Sequence, residues 1–572
     1  MPSLQFKGKS AVETYHHALP HHTLDIAPDL SARGEGQEPS LGGNLIIEGD
    51  NLLALKALLP THAGRVKCAY IDPPYNTGNE GWVYNDNVTQ PQFKEWIGQI
   101  VGNEAEDACR HDKWCCMMWL RLKLIRELLR DDGVLLISVD ENEHGHLRLI
   151  LDEIFVVEKP LATFVWKRRS PSGMRSDAVS VDHEYVFLYA KNPASVRLDG
   201  LVSDEADYPF IGENDERYAS TDLTIGMTCE DRPNQCYTIE NPRTGMRYEA
   251  NPSRAWRFEP DTMRRVIADD LVIWPDDMEG KMTRPRYKTI YDPDKPKIKP
   301  VSSWIDSGTR KQGGAEDEDM ELLTTGMNAE GGKVLQRILG QKAFDYPKPP
   351  SLIQALLRIA TRHDDIVLDA FAGSGTTGQA VLELNAEDGG ERRFILIQMP
   401  YETKQQERDG YDVCREVTRE RIDRVIKGYK YAARSREITV EGLGGSFTYA
   451  RLSEFPLFGE FRDLGDRLPA YEELARYIFF TETSRQWSPA GVTPETGRIG
   501  EHAGVSFYLL YKPNQEEDWG MDLSFLKVAA EDPNRTVVVY CEMLRVHRDD
   551  LRRWQADTGK TIRSMIVPYN LK

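Results

Sequence analysis

Residues 66–78 read Val-Lys-Cys-Ala-Tyr-Ile-Asp72-Pro73-Pro74-Tyr75-Asn76-Thr77-Gly78. The first seven, 66–72, read as a mainly apolar strand ending at a double proline. Neighbouring stretches alternate in the same way. LIIEGD (45–50) reads as a strand and NLLALKALLP (51–60) as a helix stopped at Pro60. Residues 116–130 read as an amphipathic helix, GVLLISVD (133–140) as a strand and HLRLILDEIF (146–155) as a helix. Alternation of this kind implies parallel strands with helices on both faces. FVWKRR (164–169) and HEYVFLYAK (183–191) read as further strands.

The pattern breaks over 200–340, which is rich in Asn, Pro, Gly, Arg, Tyr and Trp. It resumes with a helix at 351–360, a strand running into a glycine turn at 366–373 and a strand at 394–399. A long charged helix is expected over 404–432, then a mixed α/β segment containing VVVYCEML (537–544) and SMIVPY (564–569). The expected organisation is an N-terminal extension (1–43), two parts of one α/β domain (44–199 and 341–402) around an insertion (200–340), and a C-terminal helix and α/β domain (403–572). His16, His17, His21 and His22 lie before the first periodic segment and read as a solvated tail.

The chain has 572 residues and a net charge of −19, from 72 Lys plus Arg against 91 Asp plus Glu. A protein that coats nucleic acid by bulk charge is excluded, so any nucleic-acid surface is local. No apolar run approaches the roughly 20 residues of a membrane span, and the N-terminus has no secretory pattern. Eight cysteines show no zinc-ligand spacing, so free, mostly buried thiols in a reducing cytoplasm are expected, with no metal.

Asp72-Pro73-Pro74-Tyr75 sits where open parallel sheets place their chemistry, just past a strand's carboxyl end. Prolines donate no backbone hydrogen bond, so their carbonyls act as acceptors. With the Asp72 carboxylate and the flat ring of Tyr75 they suit an amino group on a ring, such as an exocyclic nucleobase amine. The second motif is LDAFAGSGTTG (368–378). Gly373, Gly375 and Gly378 satisfy a dinucleotide-type spacing. The position where such a site keeps an acidic ribose partner holds Gln398, however, and no lysine follows Gly375. Asp369 ahead of the glycines points instead to a ligand with an ammonium group, which S-adenosylmethionine carries. Glu48-Gly49-Asp50-Asn51 ends the first strand, with Asp50 or Asn51 equally suited to cap the helix that follows.

Together these motifs resemble the DNA amino-methyltransferases, in the motif order of their β class. GDNLLALKAL (49–58), YIDPPYNTGNEG (70–81), HEYVFLYAKN (183–192), FDYPKPPSLI (344–353) and VLDAFAGSGTT (367–377) all carry the resemblance, which spans roughly 44–400. It is strongest to the modification subunits of type III restriction–modification systems. The resemblance implies a circularly permuted Rossmann-like S-adenosylmethionine-dependent methyltransferase sheet, with an inserted target-recognition region and a C-terminal α/β domain. It implies that Asp72, Pro73, Pro74 and Tyr75 hold a base flipped from double-stranded DNA. Asp369, Phe371, Gly373, Gly375 and Thr376 would line the S-adenosylmethionine pocket. Asp50 would meet the cofactor adenine and Lys348 its methionine end, with Gln398 or Glu402 at the ribose. Adenine N6 is the expected target and cytosine N4 the alternative. A reading as mainly a DNA-specificity subunit, whose turnover depends on a partner, also stands. A homodimer and a helicase–nuclease restriction partner in a prokaryotic cytoplasm are further expectations.

DNA contacts are expected from the basic segment 281–299. There Lys281, Arg284, Arg286 and Lys288 are interleaved with Tyr287 and Tyr291. Lys167, Arg168 and Arg169 form a second candidate.

Overall fold

The computed structural model describes the chain apart from residues 1–2, 35–37, 78–109, 158–159, 171–178, 199–200, 203–207, 213–214, 278–281, 294, 296–297, 308–320, 434–435, 455, 458–468, 490–491, 494, 513–518 and 568–572. Lys281 and part of the Asp-Pro-Pro-Tyr segment's downstream sequence, from Gly78, lie outside the described residues.

An eleven-stranded sheet organises the larger of two compact units. Its strands are β1 (Leu24–Ile26), β2 (Leu45–Glu48), β3 (Val66–Ile71), β4 (Leu129–Val139), β5 (Ala162–Lys167), β6 (His183–Ala190), β7 (Val301–Ser307), β8 (Glu321–Thr325), β9 (Ile366–Asp369), β10 (Arg393–Gln398) and β11 (Thr448–Leu452). They lie in the order β1-β11-β2-β10-β9-β3-β4-β6-β5-β7-β8. From β11 to β4 every pairing is parallel. The two strands expected at 164–169 and 183–191 join antiparallel, β6 against β4 and β5 against β6. Late strands β9 and β10 insert between early strands β2 and β3, so the sheet is circularly permuted.

Helices α1 (Lys9–Ala18), α2 (Asn51–His62), α3 (Arg110–Leu128), α4 (His144–Phe155), α5 (Asn328–Leu339), α6 (Pro350–Ala360), α7 (Thr376–Asp388) and α8 (Glu420–Lys427) accompany it. The core joins β2, β3, β4, β9 and β10 to α2, α3 and α4; Leu45, Ile71, Leu135, Leu368 and Ile395 are fully or almost fully buried in it. Helix α2 continues through Pro60 to His62, because Pro60 and His62 are themselves buried. Among the described residues no helix is long and apolar enough to cross a membrane.

Several expectations are corrected. The N-terminal histidine region is not a solvated tail. Val12 and Leu19 are buried, Lys9 pairs with Glu153 at 2.7 Å, and β1 adds to β11. His21 is buried beside Lys56 and His22, and burial pushes its imidazole down to about 3. The helix expected over 404–432 is broken. Gly410, left-handed at φ 66°, ends a short helix Lys404–Asp409. A π-turn at Cys414–Arg419 leads into α8, and residues 428–433 are a strand pairing with 436–441. The terminal segment forms a four-stranded sheet (498–502, 505–510, 536–541, 561–566) that belongs to the larger unit.

The second unit comprises 199–302 and 310–323, shorter than the 200–340 insertion expected. Residues 328–339 belong instead to α5, whose Leu335 packs against Val413 and Val417. The second unit holds a four-stranded antiparallel sheet (272–273, 286–290, 217–222, 210–211) over a core of Leu223, Trp256, Met263, Val272 and Trp274. Cys229 and Cys236 form a disulfide there, against the expectation of free thiols, because a turn through Pro233–Gln235 brings their Cα atoms to 5.6 Å. Cys68, Cys115, Cys116, Cys414 and Cys541 are free and buried.

Candidate active site

Strands β3 and β9 are parallel neighbours, with Cys68 opposite Val367 and Ala69 opposite Leu368. The chain therefore leaves the same edge of the sheet at Asp72 and at Asp369. Three hundred residues of sequence separation vanish in one pairing. Ligands of open parallel sheets bind at this carboxyl edge.

At the end of β3 a compact charge cluster forms. Lys348 Nζ donates to the Tyr75 hydroxyl at 2.6 Å and to Glu184 Oε2 at 2.8 Å, and lies 3.2 Å from Asp72 Oδ1. It also stands over the Tyr75 ring, 4.7 Å from the centroid. Tyr75 donates its own proton to Glu184 Oε2 at 3.1 Å, and Arg168 donates to Glu184 Oε1 at 3.0 Å. Burial pushes the Asp72 carboxyl above its usual range, with Lys348 pulling it back and Glu184 pushing it further. Burial works against Glu184 too, yet Lys348 and Arg168 hold its carboxyl below the ordinary value. Asp72 Oδ1 is buried and accepts no well-directed hydrogen bond. A buried acceptor in that condition is costly unless a donor arrives.

The Pro74 carbonyl accepts the indole N–H of Trp114 at 2.7 Å, so it is committed to the fold rather than turned outward as the sequence suggested. Asn76 follows Tyr75 in the left-handed region at φ 58°, and its amide donates to the buried Glu143. That contact fixes the chain's exit from the motif.

At the end of β9 the loop is neutral apart from Asp369. This carboxylate accepts the Phe371 N–H at 3.0 Å and the Thr377 hydroxyl at 2.5 Å, and no Lys or Arg pairs with it among the described residues. Burial pushes it up to about 7. Gly375 caps α7 at φ 80°, where a side chain would be strained. At Gly378 a Cβ would fall 2.9 Å from Leu396, so glycine lets α7 lie close on β10. The loop is tied down from outside. Gln398 Oε1 accepts the Gly373 N–H at 2.7 Å, and Thr418 donates to the Gly373 carbonyl at 2.6 Å. Arg421, fully buried, donates to the Ser374 and Thr376 hydroxyls at 2.8 Å each.

A DNA methylase family profile matches residues 66–409 of the chain. The StyLTI Mod subunit of a type III restriction–modification enzyme from Salmonella typhimurium is 30% identical over 96% of this chain and 81% of its own. The EcoPI Mod subunit of Escherichia phage P1 is 32% identical, covering 74% of this chain and 68% of its own. The EcoP15I Mod subunit of Escherichia coli is 30% identical, covering 74% and 69%. Among solved structures, the cytosine-N4-specific PvuII DNA methyltransferase is 14% identical over 64% of this chain and 85% of its own, with a TM-score of 0.30. The chain belongs to the DNA methylases, among the type III Mod subunits.

The remaining site residues of this methylase fall into place unevenly. Asp50 accepts the Leu52 and Leu53 N–H groups with Oδ1, and its Oδ2 lies 3.5 Å from Arg121. Both oxygens thus have partners within the fold, which is the helix-cap reading of that residue. Asn51 bridges the two motifs, donating to the Ala370 carbonyl at 2.8 Å while accepting from Arg121. Lys348 sits on the acceptors of the first motif through its side chain. Its carbonyl accepts from Thr376 at 3.3 Å, so it touches both motifs. Gln398 is occupied with Gly373 and donates to Glu402 Oε1 at 3.0 Å, leaving Glu402 as the carboxylate beside the loop.

The basic candidates are largely paired. Arg168 binds Glu184, and Arg169 binds Asp182 at 3.3 Å. Arg286 pairs with Asp222 at 2.9 Å and donates to Ser220, and Lys288 pairs with Asp270 at 2.8 Å. The segment is a strand over 286–290 rather than a loop, and its cross-strand acids offset the local charge excess. Arg284 is exposed. Lys167, at the end of β5, is half-buried. Sequence reasoning missed Glu184, Arg421 and Arg121, and saw Asn51 only as a candidate helix cap. Glu184 lies within HEYVFLYAKN (183–192), where a charged residue inside an apolar strand was the available signal.

Proposed function

We propose that this methylase transfers a methyl group from S-adenosylmethionine to the N6 atom of an adenine flipped out of double-stranded DNA. It would do so as the modification and specificity subunit of a type III-like system in the bacterial cytoplasm. The observation that carries this reading is the adjacency of Asp72 and Asp369 at the carboxyl ends of paired strands. One end offers an amine acceptor beside an aromatic ring. The other offers a glycine loop and a carboxylate that no Lys or Arg pairs with among the described residues.

Each group then has a role. The Asp72 carboxylate and the Pro73 carbonyl accept the hydrogens of the adenine amine, turning its lone pair toward the cofactor. Tyr75 stacks on the base; flipping costs a few kcal/mol, and aromatic stacking returns about 1–3 kcal/mol. Asp72 takes the proton that the amine releases. Lys348 and Glu184 keep that end of the pocket electrically balanced. S-adenosylmethionine supplies an electrophilic methyl group on a sulfonium. Asp369 meets its ammonium, Phe371, Gly373, Gly375 and Thr376 shape its pocket, and Glu402, braced by Gln398, is the acceptor for its ribose hydroxyls. Asp50 meets the cofactor adenine through Oδ2, which keeps an acceptor site beside its 3.5 Å contact with Arg121.

The Mod names of the relatives support a helicase–nuclease partner, and homodimerisation is part of the same reading. Labelled methyl transfer to unmethylated phage DNA, followed by nucleoside separation, tests the reaction. N6-methyladenine from the wild type and none from Asp72→Ala is the expected result. N4-methylcytosine would move the target to the other exocyclic amine. Absence of either product, with restriction partner and cofactor present, would refute the assignment.

A further inference from the structure

Beyond the methyl-transfer pocket, Glu143 is wholly buried at the start of α4. Its Oε1 faces His111 Nδ1 at 2.7 Å and its Oε2 faces His146 Nδ1 at 2.8 Å. The Asn76 amide completes its contacts. No Lys or Arg pairs with this carboxylate among the described residues. A buried carboxylate is expected to be paired with a positive charge or to coordinate a metal. The spacing is that of a built donor set. Glu143 and His146 stand three residues apart and so share one helix face. His111 reaches them from the first turn of α3, and the two imidazole rings are 4.9 Å apart. The three donor atoms lie within 4.8 Å of one another.

We propose that His111, Glu143 and His146 bind one divalent ion of the zinc class. Two imidazoles and one carboxylate are a donor set that zinc accepts at about 2.0–2.2 Å, in tetrahedral geometry with a fourth position left for water. Small rotations of the partly exposed histidines open the present contacts to that spacing. Each neutral imidazole would carry its single ring proton on Nε2, leaving Nδ1 free to coordinate. The ion would neutralise Glu143 and clamp the starts of α3 and α4. Through Asn76 it would steady the left-handed turn that follows Tyr75. The sequence reading held no metal, because it weighed cysteine spacing and the N-terminal histidines, and only the fold brings His111 to Glu143 and His146.

The test uses the full-length untagged chain, stripped by a chelator and titrated with zinc alone. Bound metal is counted by plasma mass spectrometry, and the zinc edge is examined by X-ray absorption. One zinc per chain is expected, with a nitrogen and oxygen shell at about 2.0 Å. Uptake should fall to near zero in the His111→Gln/His146→Gln double variant. It should persist in His144→Gln, whose ring stacks on Tyr185 and Phe187, and in His16→Gln/His17→Gln. Equal uptake by wild type and double variant would overturn the proposal and place the metal elsewhere. No uptake by the wild type would also overturn it, leaving a hydrogen-bonded His–Glu–His group. If the double variant fails to fold, His146→Gln alone serves, and loss of the zinc-dependent rise in wild-type melting temperature is the readout.

Discussion

Two neighbouring strands each lead into an aspartate withdrawn from solvent, half-buried at Asp72 and buried at Asp369, and the two ends solve the same problem differently. Asp72, after β3, is met by Lys348 at 3.2 Å, with Glu184 and Arg168 extending the cluster. Among the described residues Asp369, at the end of β9, is met by a hydroxyl and one N–H and by no Lys or Arg, and its carboxyl is raised to about 7. Desolvation raises both. One end carries its own cation and therefore suits a neutral guest that needs a polar acceptor. The other lacks a cation and suits a guest that brings one. The contrast fits the proposed arrangement, with the base at one end and the cofactor at the other.

The largest expected effect breaks the β3 end. Asp72→Ala should lower methyl transfer by roughly 10²-fold or more, the scale for removing a group aimed at developing charge. DNA binding should persist, since no phosphate contact is lost. Residual turnover above about a tenth of wild type would show that Asp72 is not the amine acceptor.

The second effect tests whether the cluster is one electrostatic unit. Lys348→Met leaves the buried Glu184 and the half-buried Asp72 without their central cation. Breaking a buried pair in this way costs about 3–5 kcal/mol. Urea denaturation should show a loss of that order, with part of it recovered in Lys348→Met/Glu184→Gln. Additive losses in the double variant would mean that Lys348 and Glu184 act independently.

How far these ends were legible follows from what each is made of. The Asp-Pro-Pro-Tyr and glycine motifs are contiguous, and so is the hydrophobic alternation that builds their strands. The sheet's permuted order followed from their sequence order. The cluster around Asp72 was not legible. Lys348 comes from just before α6, Glu184 from the start of β6 and Arg168 from just past β5, and only the fold brings them together. The same limit misled the reading of the N-terminus. Val12 and Leu19 carried too little periodicity to announce the docking that buries His21. The expected helix over 404–432 failed at glycines 410 and 428, whose positive φ values end helices that the charge pattern would have continued.

The third effect sharpens the β9 end through pH. The Asp369 carboxyl is raised in the fold to about 7, from an ordinary 3.8. It is neutral below the folded value and charged above it. Affinity for a cofactor bearing an ammonium should therefore climb as pH rises toward about 7, by up to tenfold per unit, and level off above. Stability of the ligand-free protein runs the opposite way. Ionisation in the fold is disfavoured, so this residue's contribution worsens between 3.8 and about 7 and is constant beyond. Asp369→Asn should flatten both profiles, as read by calorimetric titration and by melting curves. A cofactor affinity with the same pH slope in that variant would place the ammonium elsewhere.

The smallest effect carries the comparison to the second unit, where paired and exposed cations again differ. Arg286 is held by Asp222 and Ser220, so its charge is already compensated before DNA arrives. Arg284, two residues earlier, is exposed. Each phosphate neutralised contributes about −0.9 to the slope of log affinity against log salt. Arg284→Ala should therefore make that slope shallower by about 1, while Arg286→Ala leaves it nearly unchanged and instead lowers the stability of its own sheet by roughly 0.5–1.5 kcal/mol. Fluorescence anisotropy on one duplex across a salt series separates the two. A full unit of slope lost on removing Arg286 would mean that DNA draws it away from Asp222. Compensation within the free protein would then be a poor guide to which of these cations meets phosphate.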